Sequence, residues 1–180
     1  MRIVSGKYRG RKIHTPKNLP VRPTTDLAKE SLFNILNNRI DFEEIKVLDL
    51  FSGTGNISYE FISRGCEDVT SVEQNFRCVK FIKDTKSQLQ MEGLKPVQAN
   101  VFSFLKHCSK YDLIFADPPY DFGRYAELTE SILQQEILKE GGFLIIEHPR
   151  DIELSGFPGY RETRRYGKVH FSFFEKEASE

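Results

Sequence analysis

Val47-Leu48-Asp49-Leu50-Phe51-Ser52-Gly53-Thr54-Gly55 is an apolar run that stops in an acid, a turn and two glycines. An apolar run of this length bounded by glycine reads as a buried strand. The periodicity after Gly55 changes to that of a helix, Asn56 to about Arg64, stopped at Gly65. A strand, a glycine turn and a helix in that order form the opening of an α/β unit. The glycines let backbone pass close to a ligand, and the helix N-terminus favours an anionic group. A dinucleotide fingerprint needs a third glycine at position 58, where this chain has Ser58. That departure counts against NAD and leaves another adenosine-type ligand. Glu73 ends the next apolar run, Asp68 to Glu73, twenty residues after Gly53. An acid there can accept from both hydroxyls of a ribose.

Working outward, strand and helix alternate along the chain. Residues 1 to 14 alternate loosely around Gly6 and Gly10, which fits a short hairpin. Thr24 or Thr25 can cap a helix carrying Leu27, Ser31, Leu32, Ile35 and Leu36 at helical spacing. Phe76 to Met91 is a predicted helix, Pro96 to Ala99 a weak strand, and Phe102 to His107 a short helix. Tyr111 to Ala116 is a strand, Tyr125 to Leu138 a helix, and Gly141-Gly142 a turn into the strand Phe143 to Glu147. Two closing strands, Tyr160 to Tyr166 and Lys168 to Glu175, meet at Gly167. This pattern predicts a doubly wound, mainly parallel sheet with helices on both faces and an antiparallel hairpin at its end. Ligands in such sheets sit beyond the carboxyl ends of the strands, where Asp49, Glu73 and Asp117 all fall. Asn100, after the third strand, can meet an adenine rim or cap a helix, with Val101 packing on the ring.

The strand Leu113-Ile114-Phe115-Ala116 ends in Asp117-Pro118-Pro119-Tyr120. Two prolines cannot donate to a sheet ladder and hold the backbone stiffly. They set a carboxylate and an aromatic ring in fixed geometry beyond the strand. An acceptor beside a π-face suits a planar nitrogen base with an exocyclic amine. The lone pair of such an amine is delocalised into its ring, so the amine is a poor nucleophile. The Asp117 carboxylate and the Pro118 carbonyl can bind its hydrogens and aim the nitrogen, while Tyr120 stacks on a base drawn out of its helix. With the upstream loop, this points to methyl transfer from S-adenosylmethionine to an amino group, with no metal required.

Composition narrows the partners. The 180 residues are 39% hydrophobic, enough for one core. No apolar run is long enough to span a membrane, and the N-terminus lacks the apolar stretch of a secretory leader, so the expected location is the cytoplasm. Cys66, Cys78 and Cys108 match no zinc or redox spacing, and His14, His107, His148 and His170 form no ligand pair. Net charge is zero, yet residues 1 to 22 hold Arg2, Lys7, Arg9, Arg11, Lys12, Lys17 and Arg22 and no acid. The rest of the chain therefore carries a formal charge of −7. A basic arm (1 to 22) on an acidic body (23 to 180) fits a polyanionic partner. Glu147-His148 follows a strand, where it could line the cleft, and carries no assigned role. Arg161, Arg164, Arg165 and Lys168 at the last hairpin either extend the basic surface or protect a sheet edge.

Arg2 to Arg11, Arg22-Pro23-Thr24, Leu32 to Leu36, Val47 to Gly55, Ser63-Arg64-Gly65, Asp117 to Tyr120 and Tyr166-Gly167 occur in that order. Together they resemble the RsmD family of bacterial ribosomal RNA methyltransferases over almost the whole chain. The glycine loop and Asp-Pro-Pro-Tyr fix the amino-methyltransferase class; the basic opening and Arg-Pro-Thr carry the family. The resemblance implies a Rossmann-like methyltransferase sheet with a small N-terminal hairpin. It also implies transfer of a methyl group to N2 of one guanine in small-subunit (16S) ribosomal RNA, on an assembling or assembled particle. A monomer is expected. The cofactor-binding residues expected from loop, strand ends and resemblance together are Thr24, Asp49, Ser52, Gly53, Gly55, Glu73, Asn100 and Val101. Catalysis is expected of Asp117, Pro118, Pro119 and Tyr120, and RNA docking of Arg2, Lys7, Arg9, Arg11, Lys12 and Arg22. Asn100 stands where the family usually has Asp, and Cys66 where it usually has Ala. The family's usual Asn in the helix after Glu73 has no counterpart among Lys83 to Ser87.

Three other readings use the same motifs. A DNA amino-methyltransferase acting on adenine N6 or cytosine N4 shares the tetrapeptide, but usually carries a recognition insertion for which 180 residues leave little room. A non-catalytic RNA-binding assembly factor could keep the scaffold, although an intact Asp117, Tyr120 and glycine loop argue against it. A protein-glutamine methyltransferase fits the chemistry, and the basic arm favours RNA.

Overall fold

The computed structural model of the chain describes residues 1–19 and 25–178. Its strands are β1 (Lys46–Leu50), β2 (Asp68–Glu73), β3 (Leu94–Gln98), β4 (Tyr111–Ala116), β5 (Leu138–His148), β6 (Tyr160–Tyr166) and β7 (Val169–Glu175). The helices are α1 (Asp26–Leu36), α2 (Asn56–Ser63), α3 (Phe76–Leu89), α4 (Val101–Leu105) and α5 (Tyr125–Gln134). The strands form one sheet in the order β3-β2-β1-β4-β5-β7-β6. The first five are mutually parallel, and β7 runs antiparallel between β5 and β6. The order reverses direction between β1 and β4, and a crevice opens at the carboxyl ends of the strands there.

Register decides which residues face the crevice. Asp49 lies opposite Phe115, and Phe115 opposite Ile145. Side chains alternate along a strand, so Asp49, Phe115 and Ile145 share one face of the sheet. That face packs on α1, α2 and α3 through Leu32, Phe33, Ile57, Phe61 and Ile82. Leu48, Leu50, Ile114 and Ile146 point the other way, onto α4 and α5 through Val101, Leu105, Leu128 and Ile132. The central strands are apolar on both faces because both are covered, as parallel sheets require.

The basic opening segment is folded onto the body. Arg2 bridges Lys12 antiparallel, and the Gly10 amide donates to the Ile3 carbonyl at 2.9 Å. Ile3 and Ile13 are buried beside α1 and α2. The amides of Val4 and Ser5 donate to the two carboxylate oxygens of Glu60, each at 3.0 Å. Lys29, also buried, donates to the Arg2 carbonyl at 2.6 Å and to Asn56 Oδ1 at 2.8 Å, and lies 3.4 Å from Glu60. Arg64 completes the cluster at 3.0 Å from Glu60. Gly6 has φ +80°, and a Cβ there would stand 1.7 Å from the Ser63 carbonyl oxygen, so only glycine lets the segment lie this close to α2. Burial pulls the Lys29 ammonium below its ordinary value despite the adjacent Glu60 charge. Desolvation outweighs attraction, the usual condition of a buried ion pair.

Most boundaries shift from the sequence reading by a few residues, and the largest differences lie around β5. The helix expected to run from Tyr125 to Leu138 stops at Gln134, because Glu136 takes a left-handed conformation (φ +53°) and Leu138 already belongs to β5. Gly141-Gly142 lies inside β5 and is not the turn before it. The pairing jumps from Tyr111–Leu138 to Leu113–Phe143, so the glycines form an irregularity within one long strand. Lys176 holds this bulge, its carbonyl accepting from the Gly141 amide at 2.7 Å and its amide donating to the Gly142 carbonyl at 3.0 Å. Among the described residues no helix is long and apolar enough to cross a membrane.

Candidate active site

A cleft of about 790 Å³ opens at the carboxyl ends of β1, β2, β4 and β5. Of the expected site residues it is lined by Asp49, Ser52, Gly53, Glu73, Asn100, Val101, Asp117, Pro118, Pro119 and Tyr120. Motifs far apart in the chain therefore meet on one wall. Thr24 and Arg22 lie outside the described residues. Thr25, next to Thr24, caps α1 by accepting from the Ala28 amide at 3.3 Å, and it too lines the cleft.

The loop after β1 is tied by a hydrogen bond to the acid that ends β2. The Gly53 and Asn75 amides donate to the two oxygens of Glu73 at 3.0 and 2.8 Å. Glu73 thus ties the loop to the end of β2, while each oxygen keeps a further lone pair. Gly55 stands behind the loop with φ +86°, and a Cβ there would lie 2.8 Å from the Tyr59 ring. Phe51 is left-handed at φ +58°, a conformation that costs a non-glycine residue about 1–2 kcal/mol. Its ring packs edge-on against Phe122 at 5.1 Å, which holds the turn. α2 has no side-chain cap from Gly55, and Asn56 and Ile57 of its first turn line the cleft.

Asp49 is buried and accepts from the Ser58 hydroxyl. This bond accounts for a serine where a dinucleotide fold keeps glycine. Burial pushes the Asp49 carboxyl up to about 7; the Ser58 hydrogen bond opposes this, and the charges of Asp117 and Glu73 add to it. Asn100 caps α4, its Oδ1 accepting from the Ser103 amide at 3.3 Å, and lines the cleft as well. The Asp117 amide donates to the Leu50 carbonyl at 3.3 Å, and the Phe122 amide donates to the Pro119 carbonyl at 2.9 Å. Asp-Pro-Pro-Tyr is therefore a closed turn anchored at both ends, with the Tyr120 side chain 85% exposed at the rim.

Several cleft residues escaped the sequence reading. Phe51, Phe102, Phe122 and Tyr125 make an aromatic wall, with Phe102 and Phe122 stacked at 6.2 Å and the Arg124 guanidinium 4.1 Å above Phe102. Burial and the negative field of Asp117 and Glu147 push the Tyr125 hydroxyl to about 12. Glu147 and His148, which carried no role in the sequence, both line the cleft. The Pro149 carbonyl lies 2.9 Å from His148 Nδ1 and can only accept, so Nδ1 carries the proton. Nε2 then accepts from Ser172 at 2.7 Å, and burial lowers the His148 pKa, which keeps the ring neutral. The only signal for these two was their place at a strand end. Lys168 reaches the cleft from the β6–β7 turn.

Among the expected docking residues, Lys7, Arg9, Arg11 and Lys12 are exposed. Arg2 is also exposed and pairs with Glu30 at 3.4 Å and Asp26 at 3.8 Å. Lys7 lies over the Tyr8 ring at 5.3 Å. No group of three or more His, Cys, Asp or Glu residues among those described is placed to hold a metal ion.

Comparison with known proteins agrees with this geometry over the whole chain. YlbH of Bacillus subtilis is 33% identical over 98% of this chain and 99% of its own. Ribosomal RNA small subunit methyltransferase D of Escherichia coli is 28% identical, covering 99% of this chain and 91% of its own. The solved structure of yhhF from Escherichia coli superposes with a TM-score of 0.87 at 27% identity, covering 99% of both chains. The family model described as "Conserved hypothetical protein 95" matches residues 1–175, and the chain belongs to that family, the RsmD family of methyltransferases.

Proposed function

We propose that the protein transfers a methyl group from S-adenosylmethionine to the exocyclic N2 amine of a guanine in small-subunit ribosomal RNA. The observation that carries this reading is the meeting, in one acidic cleft, of the Gly53–Gly55 loop, Glu73 and the anchored Asp117–Tyr120 turn.

The residues present fit the cofactor. A cleft lined by Asp49, Glu73, Asp117 and Glu147 favours a cationic ligand over a pyrophosphate. Asp49 would face the cationic part, Glu73 the ribose hydroxyls, and Asn100 with Val101 the adenine. The first amides of α2 would take the carboxylate. Bound there, S-adenosylmethionine supplies an already activated methyl group. The chain's own residues supply position. Asp117 and the Pro118 carbonyl accept the amino hydrogens, which turns the nitrogen lone pair towards the donor. Tyr120, exposed at the rim, stacks on the extruded base. The Asp117 carboxylate can hold the proton that leaves the alkylated nitrogen. The segment 1–22 serves as the docking surface of the methyltransferase body 23–180, its exposed cations meeting phosphates. The protein works as a monomer on the small-subunit particle.

The test is transfer of radiolabelled methyl to small ribosomal subunits lacking native base methylation. Naked ribosomal RNA and duplex DNA run in parallel, with Asp117→Ala as control. Label in subunits that disappears with Asp117→Ala supports the reading. Label in DNA supports a DNA amino-methyltransferase instead. Cofactor binding with no label in any acceptor overturns the proposed substrate.

A further inference from the structure

We propose that Glu147 reads the guanine, its carboxylate accepting the N1–H that lies beside the amine gripped by Asp117; this rests on the function proposed above.

Register places the two carboxylates together. Ala116 lies opposite Ile146 at the ends of β4 and β5, so Asp117 and Glu147 are the next residues on adjacent strands. Neighbouring strands run about 4.8 Å apart. Phe115 and Ile145, two residues back, share the face that Asp49 occupies, and Glu147 itself lies opposite Phe171 of that same core. Asp117, the first residue past β4, and Glu147, near the end of β5, both line the cleft. Their charges act on the same neighbour: both push the Tyr125 hydroxyl upward.

A side-by-side pair of acceptors fits one base edge. Guanine presents two adjacent donors, the N2 amine and N1–H. Adenine and cytosine present one amine beside a lone pair, and uracil one N–H between two carbonyls. Asp117 can hold the amine of any amino base, because each offers N–H bonds. A second carboxylate one strand away accepts from the neighbouring ring position in guanine and repels the lone pair that adenine or cytosine puts there. Asp117 thus selects an amine and Glu147 selects which amine. Flipped bases are read in this way, through their pairing edge.

The test compares acceptors within one protein. Reconstituted small subunits carry either guanine or 2,6-diaminopurine at the nucleotide that the wild-type protein labels. Diaminopurine keeps the 2-amine and replaces N1–H by a lone pair. The wild-type protein is expected to favour guanine in kcat/KM by roughly 10- to 100-fold, the discrimination of a well-placed base-edge contact. Glu147→Gln can turn an amide N–H to the N1 lone pair, so its ratio should fall to within about threefold of unity. The ratio is internal to each protein and does not depend on how much of the variant folds. An unchanged ratio in Glu147→Gln, with label still on guanine, overturns the role of Glu147 alone. Absence of label in any subunit with the wild-type protein overturns the proposed function and this role with it.

Discussion

With Asp49 facing the cationic part of the cofactor, as proposed, affinity should depend on pH in one direction. Its carboxyl is buried and sits at about 7 rather than the ordinary 3.8, with Asp117 and Glu73 nearby. At about pH 6 roughly one molecule in eleven carries the ionised carboxylate, and at about pH 8 roughly ten in eleven. A ligand with an ammonium and a sulfonium favours the ionised form. Affinity for S-adenosylmethionine should therefore rise about tenfold from pH 6 to pH 8 and flatten above. Isothermal titration calorimetry across this range measures it, and Asp49→Asn should abolish the rise. Thermal unfolding without ligand gives the mirror image. A raised folded pKa means that this group costs no stability below about pH 4 and its full cost above about pH 7, about 4 kcal/mol for three pH units. His148 and His170 act in the opposite sense: burial lowers both below 6.5, so acid favours the unfolded chain. The difference between wild type and Asp49→Asn isolates the aspartate and should shrink as pH falls from about 7 to about 4. A flat wild-type affinity, or an equal slope in Asp49→Asn, would refute the reasoning.

Lys29→Met removes one partner of a buried ion pair and should cost about 3–5 kcal/mol, lowering Tm by roughly 6–20 °C in calorimetry; a loss under about 1 kcal/mol would mean the cluster does not pin the opening segment. Tyr120→Ala should change stability by less than about 0.5 kcal/mol because the side chain is 85% exposed, and should lower methyl transfer by roughly 10- to 100-fold with cofactor affinity kept. Equal loss of both would place Tyr120 in the cofactor site or the fold. Four exposed cations, Lys7, Arg9, Arg11 and Lys12, should give RNA affinity a log–log salt slope of roughly −3, reduced by each charge removed; a flat response in a filter-binding titration would exclude that surface.

Much of this architecture is legible in the chain because the signals are local. Val47 to Gly55 and Leu113 to Tyr120 each place an acid at the end of an apolar strand, and the crossover topology then brings those ends together. The docking of residues 1–14 is less legible. It depends on Glu60 and Lys29, two charges on different helices that no local pattern pairs and that are fully buried. Gln135, Glu136 and Ile137 keep a helical composition past the end of α5, and β-pairing of Leu138 with Tyr111 overrides it. Gly141-Gly142 resembles a turn in sequence, and only the partner strand shows it to be a bulge. The aromatic wall and Glu147 are cleft residues by virtue of register and loop packing, and neither property has a sequence period.

The central claim is the atom that is methylated. Small subunits lacking native base methylation, treated with this protein and labelled S-adenosylmethionine, would be digested to nucleosides and resolved by mass spectrometry against standards. A single labelled product is expected, N2-methylguanosine, absent with Asp117→Ala. Label in N1-methylguanosine, or in a methylated adenosine or cytidine, would contradict it.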